Sequence, residues 1–581
     1  MHKLISLRSN KHPLHGPTTL LFLLILLTAA FISSLWSTLS TTNIKPTTNT
    51  IANQTLVQPP NVSSNYDNKT TETIKQSKKF QPTVLNCSIV NFNQTCSSNY
   101  PTTTLEADKN YAVCPEYFRW IHKDLKPWKK KGISREMVEM AKKTAHFRLI
   151  VKNGKGYLEK YQESIQTRDV FTVWGILQLL RKYPGKVPDL ELMFDCNDKP
   201  VVPMGLYDGP NVMGPPPVFG YCADRWSQDI VFPDWSFWGW AEINIRPWEN
   251  LLKDIKKGNK KIKWKDREPY AYWKGNPFTA LTRLDLLNCN VSTTHDWNVR
   301  LFTQDWIKES EQGFNHSNLA DQCTYRYKIY IEGYGWSVSE KYILACDSPT
   351  LLVKPRYYDF FTRSLQPLQH YWPIKENDKC KSIKHAVDWG NNHQQKAQEI
   401  GKAGSKFIHE ELSMDYVYDY MFHLLHEYAK LLKFESRVPE GAVELCPETM
   451  ACNRSRLFEK EFMSESMVRE PSTKDPCSLP PPFEPSSLRI FYATKQNLIN
   501  RVERNEMQRF TFLPKNTHHY RTKCKWRVEK KRLNEYATFL AIVLLACKAM
   551  DDPRHYYQRY PPRDFPMLFV ILIVVAILAG K

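Results

Sequence analysis

The stretch that decides the fold is residues 327–353, which have the sequence YKIYIEGYGWSVSEKYILACDSPTLLV. The apolar run Tyr327–Ile331 predicts a strand, and the turn Gly333–Gly335 follows it. Ser337–Ala345 has the pattern of a short helix, and Thr350–Val353 is a second apolar strand. A strand, a glycine turn, a helix and a strand form the unit from which phosphate-binding α/β domains are built. The stretch therefore predicts an α/β fold.

Similar elements lie upstream of this unit. Val170–Leu180 carries apolar residues at helical spacing, and Leu190–Phe194 is a short apolar strand. Asn153-Gly154 separates two apolar runs, which predicts a β-hairpin. Tyr270–Trp273 predicts a further strand before the unit at 327–353. We therefore expect two α/β halves that face each other.

The N-terminal region predicts a membrane anchor. The apolar run Thr18–Trp36 has 19 residues, and a helix of that length spans about 28 Å, close to the thickness of the hydrocarbon core. Three basic residues precede it, Lys3, Arg8 and Lys11, so the rest of the chain is expected in the lumen. A cleaved signal peptide ending near Ala29-Ala30 is the alternative.

Sequons and cysteines agree with a luminal chain. Residues 37–105 are rich in Ser, Thr, Asn and Pro, which predicts an extended stem. Five N-x-S/T sequons lie in this stem and three beyond it, at Asn53, Asn61, Asn68, Asn86, Asn93, Asn290, Asn315 and Asn453. The 14 cysteines lack zinc-site spacing and favour disulfides, whose pairing the sequence leaves open. Nucleic-acid binding is therefore disfavoured, although the net charge is +20.

The C-terminal region has a different composition from the body. Arg521–Arg532 is strongly basic and Pro566–Gly580 is apolar. The sequence assigns no role to this region, and a second membrane anchor and a buried helix are both open for the apolar part. The predicted segments are a cytosolic tail (1–17), an anchor (18–36), a stem (37–105), an N-terminal α/β half (106–260), a second α/β half with closing helices (261–435), a C-terminal extension (436–505) and a basic and apolar tail (506–581).

Asp198 is the candidate general base. It follows the strand Leu190–Phe194, and functional groups of open α/β sheets lie at the carboxyl ends of strands. Pro200 prevents the loop from continuing as a helix. A carboxylate in this position can accept the proton of a hydroxyl group. The alternatives are a turn aspartate that accepts backbone hydrogen bonds, and Asp195 as the base instead.

The glycine turn is the candidate anion site. Gly333 and Gly335 allow backbone N–H groups to approach a diphosphate, and the N-terminus of the helix after them carries a partial positive charge. Arg283 could bind a phosphate through two N–H groups, and Asn276 could bond to ribose or phosphate. A serine-capped glycine turn and a surface arginine are the alternatives without a ligand.

The aromatic segment Trp235–Trp240 is a candidate wall for a sugar or peptide groove, with Trp235, Phe237 and Trp238 on the acceptor side. Packing in the core is the alternative. Metal-binding signatures are missing: His423-x-x-His426-Glu427 is not HExxH, and Asp195 to Asp198 is one residue too long for Asp-x-Asp. We therefore expect neither a metal nor another cofactor.

Taken together, five sequence blocks resemble the Rumi-like protein O-glucosyltransferases, a family that includes fungal capsule-associated proteins and plant Golgi members. The blocks are Phe194–Pro200, Asp229–Trp238, Tyr272–Asn276, Cys323–Tyr327 and Tyr330–Gly333 with Trp336-Ser337. The resemblance covers about residues 112–435 and is closest to the plant branch. It implies a GT-B fold of two Rossmann-like domains facing a cleft, with inverting, metal-independent transfer of glucose or xylose from a UDP-sugar to a protein or polysaccharide hydroxyl.

The resemblance also implies roles for individual residues. The half 106–260 is then the acceptor side and the half 261–435 binds the nucleotide-sugar. Asp198 matches the catalytic aspartate. The donor-binding positions are Asn276, Arg283, Gly333, Tyr334, Gly335, Trp336, Ser337, Val338, Ser339 and Lys341. An arginine of the animal enzymes is replaced by Ser339, so Lys341 or another cation would have to hold the diphosphate. The anchor, and a C-terminus without a KDEL-type signal, favour a single-pass type II Golgi protein over an ER protein. An inactive lectin-like or scaffold protein with the same fold is the alternative function.

Overall fold

The computed structural model describes Leu85, Cys87, Cys96, Asp108 and residues 112–511, except for 208, 210, 211, 453 and 455–457. The predicted anchor at 18–36, nearly all of the predicted stem and the tail after 511 lie outside the described residues. Among the described residues, no helix is both long and apolar enough to cross a membrane.

Two β-sheets form the framework of the described part of the chain. The first has six strands in the order β11-β2-β1-β3-β4-β5, and the second has five in the order β10-β9-β8-β6-β7. The strands are β1 (Phe147–Lys152), β2 (Lys155–Lys160), β3 (Leu190–Phe194), β4 (Val218–Gly220), β5 (Ile230–Val231), β6 (Glu268–Gly275), β7 (Val299–Thr303), β8 (Tyr325–Tyr330), β9 (Thr350–Val353), β10 (Trp372–Ile374) and β11 (Val443–Glu444).

The helices that pack around these sheets confirm the α/β class. They are α1 (Trp120–Asp124), α2 (Arg135–Ala141), α3 (Arg168–Lys182), α4 (Trp248–Lys261), α5 (Leu281–Leu286), α6 (Trp306–Glu311), α7 (Ser339–Leu344), α8 (Lys379–Asn392), α9 (Gln394–Glu411), α10 (Met414–Ala429), α11 (Pro447–Ala451), α12 (Glu459–Glu465) and α13 (Pro485–Thr511).

The first sheet is mixed. β1 pairs antiparallel with β2 and β3, whereas β3, β4 and β5 are parallel. The β1–β2 hairpin turns at Asn153 and Gly154, both with positive φ, as the sequence predicts. β11 completes this sheet from the segment predicted as a C-terminal extension. All strand pairs of the second sheet are parallel, so the carboxyl ends of β6 and β8 lie side by side at one edge.

Contacts between residues far apart in sequence hold the two sheets together. The buried Arg363 donates to both carboxylate oxygens of Asp124 at 2.6 Å, which ties α1 to the segment after β9. Ala223, which follows β4, exchanges backbone hydrogen bonds with Tyr358, which follows β9. A buried ion pair of this geometry fixes the relative orientation of its elements, because breaking it would leave an uncompensated charge.

Disulfides are present, in agreement with the predicted use of the cysteines. Among the described residues there are five pairs: Cys87–Cys452, Cys96–Cys446, Cys114–Cys477, Cys289–Cys380 and Cys323–Cys346. The first three join residues 87–114 to residues 446–477. Cys196 and Cys222 are buried free thiols.

We predict that Gly258→Ala destabilises the protein. Gly258 lies on α4, and an added Cβ would lie 2.1 Å from the backbone oxygen of Ala320. Backbone cannot move away as a side chain can, so we expect the free energy of unfolding to fall by about 2 kcal/mol. Gly220→Ala in β4 is the control, because its nearest neighbour would be 3.7 Å away. Chemical denaturation measures both variants, and a Gly258→Ala protein as stable as the parent would contradict the packing described.

Candidate active site

The carboxyl end of β3 carries Asp198 on a loop. Its side chain is 27% exposed, and its Oδ1 accepts a hydrogen bond from Arg168 Nη1 at 2.9 Å. The rival candidate Asp195 is buried, and its Oδ1 accepts from the backbone and side-chain nitrogens of Asn197. Asp195 therefore holds the loop, and Asp198 has the accessible carboxylate.

A second carboxylate fixes the chain just after Asp198. The two oxygens of Asp229 accept the N–H groups of Val201 and Val202 at 2.8 and 3.0 Å. Burial raises the pKa of Asp229 to about 7. The thiol of Cys222 donates to the backbone oxygen of Asp198 at 3.3 Å. Three backbone groups of this loop are thus bonded to groups from the β4–β5 region.

The glycine turn after β8 meets this loop. An added Cβ at Gly335 would lie 1.8 Å from the backbone oxygen of Asp198, so only glycine fits there. Tyr334 beside it is 63% exposed, and the ammonium of Lys199 lies 3.6 Å from its ring centroid. The turn of the second sheet and the candidate base of the first sheet are therefore in direct contact.

Arg283 supports the glycine turn from α5. It is buried and donates to the backbone oxygens of Asn276, Ile331 and Glu332 and to Ser337 Oγ at 2.9–3.2 Å. None of the described carboxylates forms an ion pair with it, and burial lowers its pKa to about 10. These four bonds use most of its N–H groups, so the predicted two-point contact with a phosphate is not available in this conformation. What the arginine offers is a positive charge fixed beneath the turn.

Asn276 and the serines shape the same edge. Asn276 Oδ1 accepts the N–H of Phe278, and its backbone oxygen accepts from Arg283. Ser337 Oγ lies 2.8 Å from Ser339 Oγ, and both residues are half-buried, as are Gly333 and Val338. Helix α7 has only six residues, so its dipole attracts a diphosphate less strongly than the sequence pattern predicts.

Lys341 differs from its predicted role. Its side chain is 2% exposed, and its Nζ donates to Asp234 Oδ2 at 2.8 Å and to the backbone oxygen of Val338. This charge is neutralised inside the protein and does not reach the cleft. The structure therefore contradicts the prediction that Lys341 replaces the missing arginine at Ser339. Trp336, also predicted to bind the donor, is buried as well.

The aromatic segment before α4 also differs from its predicted role. Trp235, Phe237 and Trp238 are each at most 1% exposed, so they pack in the core and do not line the acceptor side. Trp235 has a specific contact there, because the guanidinium of Arg168 lies 4.5 Å from its ring centroid. The alternative interpretation of this segment, as core, is the one that the structure supports.

Several residues of the site are missed by sequence reasoning. Arg168 begins α3, 30 positions before Asp198, and no local motif marks it. Asp234 is 107 positions from Lys341, and only the fold brings the two together. Asp229 lies within one of the five sequence blocks of the resemblance, and its place in that block is the sequence signal that could have indicated a role in the site.

One group of metal-ligating residue types occurs among the described residues, formed by Cys114, His423 and Cys477. Cys114 and Cys477 form a disulfide, so their sulfur atoms are not thiolate ligands. This group therefore offers no metal centre in the disulfide-bonded protein.

Comparison with known proteins identifies the family. Residues 109–506 match the family model described as Glycosyl transferase family 90. The chain is 26% identical to Protein O-glucosyltransferase 1 of Homo sapiens over 366 residues, which cover 59% of this chain and 88% of that protein. It is 24% identical to O-glucosyltransferase rumi of Drosophila melanogaster over 357 residues, covering 59% and 83%. These matches confirm the predicted resemblance, and the chain belongs to glycosyl transferase family 90.

Proposed function

We propose that the chain transfers glucose or xylose from a UDP-sugar to a hydroxyl group of a protein acceptor, with inversion at the anomeric carbon and without a metal. The observation that carries this proposal is the contact of the accessible Asp198 with the glycine turn at Gly335. The printed names of the relatives, protein O-glucosyltransferases, favour glucose and a protein acceptor. A polysaccharide acceptor remains an outcome of the test.

The proposed fold is of the GT-B type. Its support is a pair of sheets whose carboxyl edges carry Asp198 on one side and Asn276 with the glycine turn on the other. In this arrangement the nucleotide lies at the edge of β6 and β8, and the acceptor approaches Asp198. The donor sugar lies between the two.

The proposed reaction is a single displacement. Asp198 takes the proton of the acceptor hydroxyl, whose oxygen attacks the anomeric carbon while the bond to UDP breaks. UDP leaves with the electron pair of that bond. The fixed charge of Arg283 and the backbone N–H groups of the turn stabilise the diphosphate as negative charge develops on it.

An inactive sugar-binding protein of the same fold is the second candidate. One observation favours it: Lys341 is neutralised by Asp234, so Arg283 faces the diphosphate without a second cation from this loop. UDP binding without UDP release from any UDP-sugar would support this candidate.

We also propose that residues 18–36 anchor the protein in the Golgi membrane with the catalytic domain in the lumen. The support is the apolar run with its basic flank and the five sequons of the stem. The full-length protein should resist alkaline extraction from membranes and should be protected from protease in sealed vesicles. Release by alkaline buffer would contradict the anchor.

We predict that Asp198→Asn abolishes most turnover. The amide cannot accept the acceptor's proton, so we expect the rate to fall roughly 10²–10⁴-fold with UDP affinity little changed. The assay follows UDP release and label transfer from UDP-glucose and UDP-xylose, with the full-length protein and a panel of protein and polysaccharide acceptors. Full turnover by Asp198→Asn would reject Asp198 as the base.

We predict that Arg283→Met weakens UDP binding about 10- to 100-fold, because a charge-assisted contact contributes about 1.5–3 kcal/mol. Arg300→Met in β7 is the control, since Arg300 pairs with Asp296 instead of supporting the turn. Calorimetric titration with UDP measures both. An Arg283→Met protein that is folded and binds UDP as tightly as the control would contradict the assignment.

A further inference from the structure

Asp198 forms an ion pair with Arg168, and the proposed reaction gives a role to Asp198 but none to Arg168. Arg168 Nη1 donates both to Asp198 Oδ1 at 2.9 Å and to the backbone oxygen of Cys196 at 3.3 Å. Its side chain is 7% exposed, compared with 27% for Asp198. A buried guanidinium thus holds one oxygen of a carboxylate that is itself accessible.

Arg168 is in turn held in place. Its guanidinium lies against the face of the buried Trp235, at 4.5 Å from the ring centroid. Its position at the start of α3 fixes its backbone, whose oxygen accepts from Thr172 Oγ1 at 2.8 Å. An arginine stacked on an indole and bonded to a carbonyl has few alternative positions, so it can define the orientation of its partner.

The backbone of Asp198 is fixed separately from its side chain. Gly335 packs against its backbone oxygen, and Cys222 donates to the same oxygen. Asp229 accepts the N–H groups of the residues three and four positions further on. None of these contacts sets the rotation of the carboxylate. Among the described residues, Arg168 is the one that donates a hydrogen bond to either carboxylate oxygen of Asp198.

We propose that Arg168 is a positioning residue that keeps Oδ1 of Asp198 occupied and turns Oδ2 toward the acceptor hydroxyl. This inference rests on the proposed function of Asp198 as the base. Arg168 contacts neither the acceptor nor the donor in this role, and its whole effect passes through Asp198. The buried Trp235 then contributes as the surface on which Arg168 rests.

The test is a double-mutant cycle on turnover, with UDP release from UDP-glucose in water as the readout. We expect Arg168→Met to lower kcat about 10²-fold, as misplacement of a catalytic group by about 1 Å does, with KM for UDP-glucose changed less than threefold. Arg168→Lys should recover part of that loss, because a cation remains near Oδ1. On the Asp198→Asn background, Arg168→Met should lower kcat no further, since the group it positions is already gone.

Arg148→Met is the matched control. Arg148 is also 7% exposed, lies in β1 of the same half and pairs with carboxylates away from Asp198. We expect this variant to lose stability while kcat of the folded protein is retained. Thermal unfolding and UDP titration establish which variants are folded, and if Arg168→Met does not fold, Arg168→Lys with the same cycle decides.

The outcomes distinguish the role of Asp198 as the base from the role of Arg168 as its positioning residue. Full turnover by Asp198→Asn rejects the proposed base and leaves Arg168 nothing to position. A large loss for Asp198→Asn together with parental kcat for folded Arg168→Met overturns the positioning role alone. An equal loss from Arg168→Met on both backgrounds also overturns it, because Arg168 would then act independently of Asp198.

Discussion

The absence of a side chain at Gly335 is the constraint on which the site depends. The backbone of the turn after β8 packs so closely on Asp198 that a single added carbon would overlap the backbone oxygen. This contact brings the edge of the parallel sheet, with its fixed arginine, against the loop of the mixed sheet, with its accessible carboxylate. In the proposed reaction, a donor held at one half and an acceptor held at the other can then meet at this contact.

The charges around this contact are distributed unequally. On the side of β6 and β8, Arg283 has only neutral oxygen partners, so its charge is not cancelled by an ion pair among the described residues. On the side of β3, Asp198 has a cationic partner and the neighbouring loop is held by Asp229. Lys341 and Asp234 cancel each other in the interior between the two sides. An anion is thus favoured near the turn, while the carboxylate of Asp198 is held by its ion pair with Arg168.

Much of this arrangement could be predicted from sequence where the signal is local. The strand, glycine turn and helix at 327–353 and the hairpin at Asn153-Gly154 depend on residues close together in the chain, and the structure has them. The burial of Trp235 could not be predicted, because an aromatic loop has the same composition on a groove and in a core. The pairing of Lys341 with Asp234 and of Arg168 with Asp198 depends on the packing of segments that are far apart in sequence. The sequence indicates Arg283 as a candidate, whereas its hydrogen bonds to backbone oxygens depend on the fold.

The most direct test of the proposed site is a crystal structure of the protein with UDP-glucose. We expect the diphosphate to lie over the Gly333–Ser337 turn near Arg283. We also expect Asp198 Oδ2 to lie within hydrogen-bond reach, about 2.6–3.2 Å, of a water or hydroxyl oxygen on the face of the sugar opposite UDP. A UDP bound away from this turn, or a sugar whose open face points away from Asp198, would contradict the proposed site.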